Sequence, residues 1–229
     1  MKINFIDLGL RRFEEVQLFQ KIFLEKIKNN TSNEVILLSQ FYPVITLGRK
    51  AKIEDILIDK EKLEKENISI FSINRGGGVT IHIPGQWVIY PILNLANWKK
   101  DISFYLNLLH NWIVYFLSLF GIEARADKNL PGVWVKDKKI CFIGIGISRW
   151  ITFHGLSINI DPDLKFFSYI NPCGIKKLKV TSLKEEILYL PPEEKIKENL
   201  LKAWEAVIRK EGFLYELAYT SSLVGQTFL

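Results

Sequence analysis

The chain has 229 residues, 48% of them hydrophobic and 24% charged, with a formal net charge of +6 and two cysteines. So much apolar side chain excludes intrinsic disorder, and the length suits one domain, 1–229, with no shift in composition to mark a linker. The positive charge suits nucleic acid, a membrane surface or an acidic protein partner. Missing zinc-finger spacing and missing aromatic RNA-binding signatures argue against nucleic acid, and no apolar run is clean enough for stable membrane insertion.

The opening MKINFIDLGLRRFEEV is charged throughout and lacks a signal-peptide core, so a cytoplasmic protein with reduced thiols is expected. Residues 12–29 carry Phe13, Val16, Phe23 and Ile27 at helical spacing and end in Asn29-Asn30, which predicts an amphipathic helix. Strands are expected at 35–39 and 44–47, followed by a charged mixture of helix and loop over 53–66. Further strands at 68–73, 79–83 and 87–92 are rich in β-branched and aromatic residues and separated by glycine and proline. The apolar stretch 102–120 reads as a core helix, because Asn107, His110, Asn111 and Ser118 would be costly to desolvate in lipid. Strands at 132–135, 139–148 and 152–158 come next, then a mostly helical C-terminal third. There, Pro191-Pro192 starts a helix over 193–209 with Ile196, Leu200, Ala203 and Val207 on one face. Strands in runs, with helices between the runs, indicate an α+β fold with a mixed sheet rather than regular alternation.

Four segments carry candidate chemistry. In Arg75-Gly76-Gly77-Gly78-Val79-Thr80-Ile81-His82, consecutive glycines between two strands let a ligand approach the backbone, with spacing that fits neither nucleotide-phosphate fingerprint. Lys139 opens the apolar strand Ile140-Cys141-Phe142-Ile143-Gly144; a lysine desolvated there exchanges protons more readily. His154 begins a run through Gly155, Leu156, Ser157 and Asn159. Pro172-Cys173-Gly174 presents its thiol on a tight turn, whereas Cys141 has the setting of a buried hydrophobe. Lys139 and Cys141, two apart on a strand, are expected to share a face. The residues alone indicate a cysteine nucleophile with a histidine base, His82 or His154, and no metal, since three histidines and two cysteines are not clustered. Two basic clusters, Lys136/Lys138/Lys139 and Lys176/Lys177/Lys179, flank these residues.

Together the segments resemble the lipoyl(octanoyl) transferase family, within the fold shared by lipoate and biotin protein ligases. The matching text is Pro43-Val44-Ile45-Thr46-Leu47-Gly48, RGGGVTIHIPGQ with Tyr90-Pro91, Gly132-Val133-Trp134-Val135 with KKICFIG, HGLSIN, and NPCGI followed by Thr181-Ser182-Leu183. The resemblance implies an α+β catalytic domain with mixed, largely antiparallel sheets flanked by helices. It implies Cys173 as the acyl-accepting nucleophile and Lys139, displacing the histidine, as the group that stabilises the thiolate and shuttles protons. Arg75 to His82, Phe142 to Gly144 and Gly155 to Ser157 would line the acyl site. The implied partners are octanoyl-acyl carrier protein as donor and, as acceptors, lipoyl domains of 2-oxoacid dehydrogenases and glycine cleavage H protein. Neither cofactor nor metal is implied, and a monomer is the default. Two departures bear on packing beside the pocket and on chain-length preference: Gln40-Phe41-Tyr42-Pro43 stands where the family has Glu-His before Pro-Pro-Val, and Ile83 where it has glycine. The rival readings are an ATP-dependent lipoate ligase, which needs no cysteine nucleophile, and a non-catalytic module that grips acidic carriers.

Overall fold

The computed structural model, which describes residues 2–127 and 129–221, opens on a strand that the charged N-terminal sequence conceals, β1 (Lys2–Arg11). Ile3, Phe5, Ile6 and Leu8 are buried, but a register shift between Asp7 and Leu10 interrupts the period-two pattern by which a strand is recognised. Helix α1 (Phe13–Lys28) follows, then β2 (Glu34–Phe41), β3 (Val44–Leu47), the short α2 (Lys60–Lys65), β4 (Ser69–Ser72), β5 (Val79–His82), β6 (Gln86–Ile92) and helix α3 (Ile102–Ser118). The second half adds β7 (Arg125–Asp127), β8 (Gly132–Val135), β9 (Lys138–Ser148), β10 (Ile151–Asn159), the four-residue α4 (Leu183–Glu186), α5 (Glu193–Lys210) and β11 (Glu216–Ser221).

Eight strands form one sheet in the order β11-β1-β2-β6-β10-β9-β8-β7, and a smaller sheet has the order β4-β3-β5. The pairs β11–β1, β1–β2 and β3–β4 are parallel and the rest antiparallel, so the architecture is the mixed, largely antiparallel α+β arrangement expected. The C-terminal third differs from expectation: besides α5 and α4 it contains two 3-10 turns, Leu164–Tyr169 and Pro172–Gly174, and β11. Prolines break up the first part, and β11 exists by parallel pairing with β1, from Lys2 with Glu216 to Asp7 with Ser221, a contact no local pattern records.

The large sheet is buried on both faces, which explains why β2 reads as a nearly continuous apolar run. Ile36 and Leu38 join α3 and α5 in one core, while Val35 and Leu37 join α1 in a second. A third core, with Ile45, Val79, Ile81 and Phe142, fills the space against the small sheet. Where α3 meets α5, the Trp112 and Trp204 rings lie 4.7 Å apart and Trp112 Nε1 donates to the Leu200 carbonyl at 2.9 Å. His110, the polar interruption of α3, accepts from the Gly132 N–H at 3.1 Å, so the helix carries it as a tie to β8. No described helix is long and apolar enough to cross a membrane. Phe41 and Ile83, the two departures, are both core residues; the Phe41 ring stands 5.4 Å from Phe13 and 5.7 Å from His82.

Replacing fully buried Trp204 by alanine removes the α3–α5 ring contact and leaves a cavity. Urea unfolding should show a loss of about 3–5 kcal/mol, with the slope of free energy against denaturant unchanged.

Candidate active site

Asn171 to Gly174 make a turn in which Pro172 sets the entry and Cys173 adopts φ 58°, ψ 18°, a left-handed conformation uncommon for a residue with a Cβ. Contacts from distant segments hold it there. Asn171 N–H donates to the Asp55 carbonyl at 2.7 Å, and the Gly174 N–H closes the turn on the Asn171 carbonyl at 3.0 Å. Gly78 backs the turn so closely that a Cβ at that position would lie 3.3 Å and 3.4 Å from the Cys173 carbonyl carbon and Cα. The Cys173 thiol is left exposed.

Lys139, at the start of β9, is 1% exposed, and its Nζ lies 4.0 Å from Cys173 Sγ. Its backbone is fixed through hydrogen bonds from Lys139 N–H to the Lys179 carbonyl, 2.9 Å, and from Thr181 N–H to the Lys139 carbonyl, 3.0 Å. The β8–β9 register shifts between Val133 and Trp134, and this bulge cancels the expected sharing of a face by Lys139 and Cys141. Cys141 joins the α3–α5 core, with Sγ 3.8 Å from the Phe142 carbonyl, while the lysine ammonium turns to Cys173. Burial pushes the Cys141 thiol well above the ordinary thiol range, so it cannot supply a thiolate near neutral pH. The basic cluster 136–139 is likewise divided: Lys136 is exposed, Lys138 pairs with Glu186 at 3.5 Å, and Lys139 is buried.

Beside Cys173 a cavity of about 40 Å³ is lined by Arg75, Gly77, Thr80, His82, Phe142 to Gly144 and Gly155 to Ser157 among the candidates. The other candidates have different positions. Val79 and Ile81 alternate with Thr80 and His82 on β5 and point into the third core; Gly76 donates its N–H to the Ile145 carbonyl; Gly78 stands behind the cysteine turn. Val88, Tyr90 and His154 complete the wall. Val88 and Tyr90 were legible only as apolar strand residues. Their shared face with buried Gln86 on β6 was the available signal. A wider groove of about 730 Å³, lined by Tyr42, Leu63 and Phe71 among others, contains none of these groups.

Several polar side chains sit in the otherwise apolar cavity wall. Arg75 donates from Nη2 to the Thr46 carbonyl and hydroxyl, both at 2.8 Å, and from Nη1 to the Gly76 carbonyl at 2.9 Å. Like Lys139, it has no carboxylate within 4.0 Å among the described residues. Arg75 Nε, Thr80 Oγ1 and His154 Nδ1 are buried without a hydrogen-bond partner among the described residues. His82 is better provided. Asn159 Nδ2 donates to the Thr181 carbonyl at 2.8 Å, which turns Asn159 Oδ1 toward Gln86 Nε2, 2.9 Å away. Gln86 Oε1 therefore faces His82 Nδ1 at 2.6 Å, so Nδ1 carries the proton and Nε2 is the acceptor in the neutral ring. Burial pulls His82 down to about 4 and His154 down to about 3, with the Arg75 charge acting in the same direction on both. Among the described residues, no three His, Cys, Asp or Glu side chains gather as a metal ion would require.

These two imidazoles make stability depend on pH. Both are neutral in the fold, whereas an unfolded histidine protonates near 6.5, so the unfolded chain binds more protons between about pH 6.5 and 4. The stabilisation is complete above that window and declines as pH falls through it, by on the order of 3 kcal/mol per group at pH 4. Urea unfolding across this range should show the decline, and His82→Gln or His154→Gln should each flatten it.

Residues 13–205 match the family model of the lipoyl protein ligase A/B catalytic domain. An octanoyltransferase of Clostridium kluyveri is 40% identical over 213 residues, covering 92% of this chain and 91% of the relative. One of Caldanaerobacter subterraneus is 38% identical over 203 residues, 88% of each chain. In fold the chain is similar to a bipartite lipoate protein ligase of Thermoplasma acidophilum, with a TM-score of 0.74 at 13% identity over 97% of this chain and 88% of that one. With matches of this extent, spanning the cysteine turn and the buried lysine, the chain belongs to the lipoyl protein ligase A/B catalytic domain family.

Proposed function

We propose that the chain is an octanoyltransferase that moves an octanoyl group from octanoyl-acyl carrier protein to a lysine of lipoyl domains and of glycine cleavage H protein, the first step of endogenous protein lipoylation. The observation that carries this reading is the exposed Cys173 thiol beside a buried ammonium that has no carboxylate to neutralise it. That ammonium stabilises the thiolate, which attacks the thioester carbonyl. As the tetrahedral adduct collapses, the carrier's thiolate leaves and takes a proton from Lys139. The Lys139 amine then accepts a proton from the incoming lysine amine as that amine attacks the acyl-cysteine, and Cys173 leaves as thiolate. The thioester is already activated, so the chemistry asks for neither nucleotide nor metal. Arg75, Gly77, Thr80 and His82, with Phe142 to Gly144 and Gly155 to Ser157, line the site for the acyl group, and the enzyme works as a cytoplasmic monomer.

Incubation with octanoyl-acyl carrier protein without ATP should add one octanoyl group to the wild type and to Cys141→Ala, and none to Cys173→Ser, as read by intact mass. Lys139→Ala and Lys139→Arg should both lose about 100-fold or more in turnover, because a guanidinium keeps the charge but does not exchange protons. A requirement for ATP, or acylation that survives Cys173→Ser, sinks the reading.

Docking to the acidic carrier should rest more on Lys176 and Lys177, exposed just past the cysteine turn, than on Lys179, whose ammonium is already 2.6 Å from Asp137. Reversal of Lys176 and Lys177 to glutamate should raise KM for the carrier with little change in kcat, and added salt should do the same to the wild type. Salt-independent kinetics would remove this role.

A further inference from the structure

The Lys139 ammonium has an environment that the cysteine contact alone does not explain. Its Nζ lies 5.3 Å from the centre of the Trp134 ring and 5.0 Å from that of Phe142. Beneath it, Gly132 leaves no room for a side chain: a Cβ there would fall 2.4 Å from Lys139 Cε and 2.3 Å from the Cys141 carbonyl oxygen. The His110 imidazole holds that glycine through its N–H. A buried ammonium is costly to desolvate and is commonly offset by a carboxylate. Here two ring faces stand in the carboxylate's place.

We infer that Trp134 is a positioning residue for the proposed transfer: with Phe142 it boxes the Lys139 ammonium by its ring face, keeping it charged and aimed at Cys173 without offering a base that would trap its proton. The inference rests on the proposed function for its catalytic meaning and on geometry for its existence. A carboxylate at this distance would lock the proton in an ion pair, whereas the negative face of an aromatic ring attracts the cation but cannot accept its proton. Trp134 Nε1 is buried without a hydrogen-bond partner among the described residues. Pairing of Trp134 with Lys139 follows directly from the β8–β9 bulge. Charged groups near the box include Glu123, Lys136 and Glu186, which line a groove together with Trp134 and Arg125. Cys173 closes the box and Cys141 lies toward the core. Arg125 stands 5.9 Å from the Trp134 ring, and His110 holds Gly132 beneath the box. Arg75 adds its charge near Cys173, and Asp55 backs the cysteine turn.

The test is the pH dependence of Cys173 alkylation by iodoacetamide in a Cys141→Ala background, which needs no substrate. Trp134→Leu should move the profile about one unit to higher pH at an unchanged plateau, and Trp134→Phe, which keeps a ring face, should stay near the wild type. A merely structural tryptophan would lower the thermal midpoint or the plateau and leave the profile in place. Because the leucine variant risks misfolding, a second measurement uses protein with its six tryptophans fluorinated, which weakens the ring face without changing its shape. Fluorination should move the profile in the parent and not in Trp134→Phe. An unmoved profile in folded Trp134→Leu, an equal shift in Trp134→Phe, or no response to fluorination overturns the inference. A wild type that is not acylated by octanoyl-acyl carrier protein overturns the proposed function instead, with the alkylation profiles still deciding on the box.

Discussion

The contact between the Lys139 ammonium and the Cys173 sulfur joins residues 34 positions apart, and each depends on distant chain for its conformation. The lysine needs a place from which water and carboxylates are both excluded; the β8–β9 bulge creates it by turning Lys139 away from the core that takes Cys141. Cys173 needs a left-handed turn, which is held by the Asp55 segment and the close approach of Gly78. Loss of either support would leave both groups present and their separation undefined.

The segment 179–181 connects this pair to the cavity. Lys179 and Thr181 hold the backbone of Lys139, and the Thr181 carbonyl anchors the amide relay through Asn159 and Gln86 that sets the His82 tautomer. The same short stretch therefore orients the proposed proton carrier and one wall of the proposed acyl site. Burial, with the Arg75 charge acting in the same direction, keeps both histidines neutral.

Much of this was legible where the determinants are local. Helical spacing in 12–29 and 102–120, and the glycine and proline punctuation around the central strands, located the elements to within a few residues. The turn chemistry of Pro172-Cys173-Gly174 already implied a presented thiol. Reading failed where a tertiary contact replaced a pattern: β1 is broken by its own bulge, and β11 is a strand because β1 offers it an edge. His110 looked like an interruption in an apolar helix until Gly132 appeared as its donor.

By itself, the sequence determined which groups were available and what their backbones would tolerate: one cysteine on a turn, one lysine at the mouth of an apolar strand, glycines where no Cβ is admitted, and a match to one family along most of the chain. Tertiary structure decided which groups meet and in which charge state. A lysine in a cluster of three basic residues interrupted by Asp137 looks like solvated surface, and the bulge and the two aromatic rings make Lys139 a buried ammonium. The physical reason is that φ and ψ preferences act over a few residues, whereas desolvation and charge pairing depend on whatever the fold brings within a few ångströms.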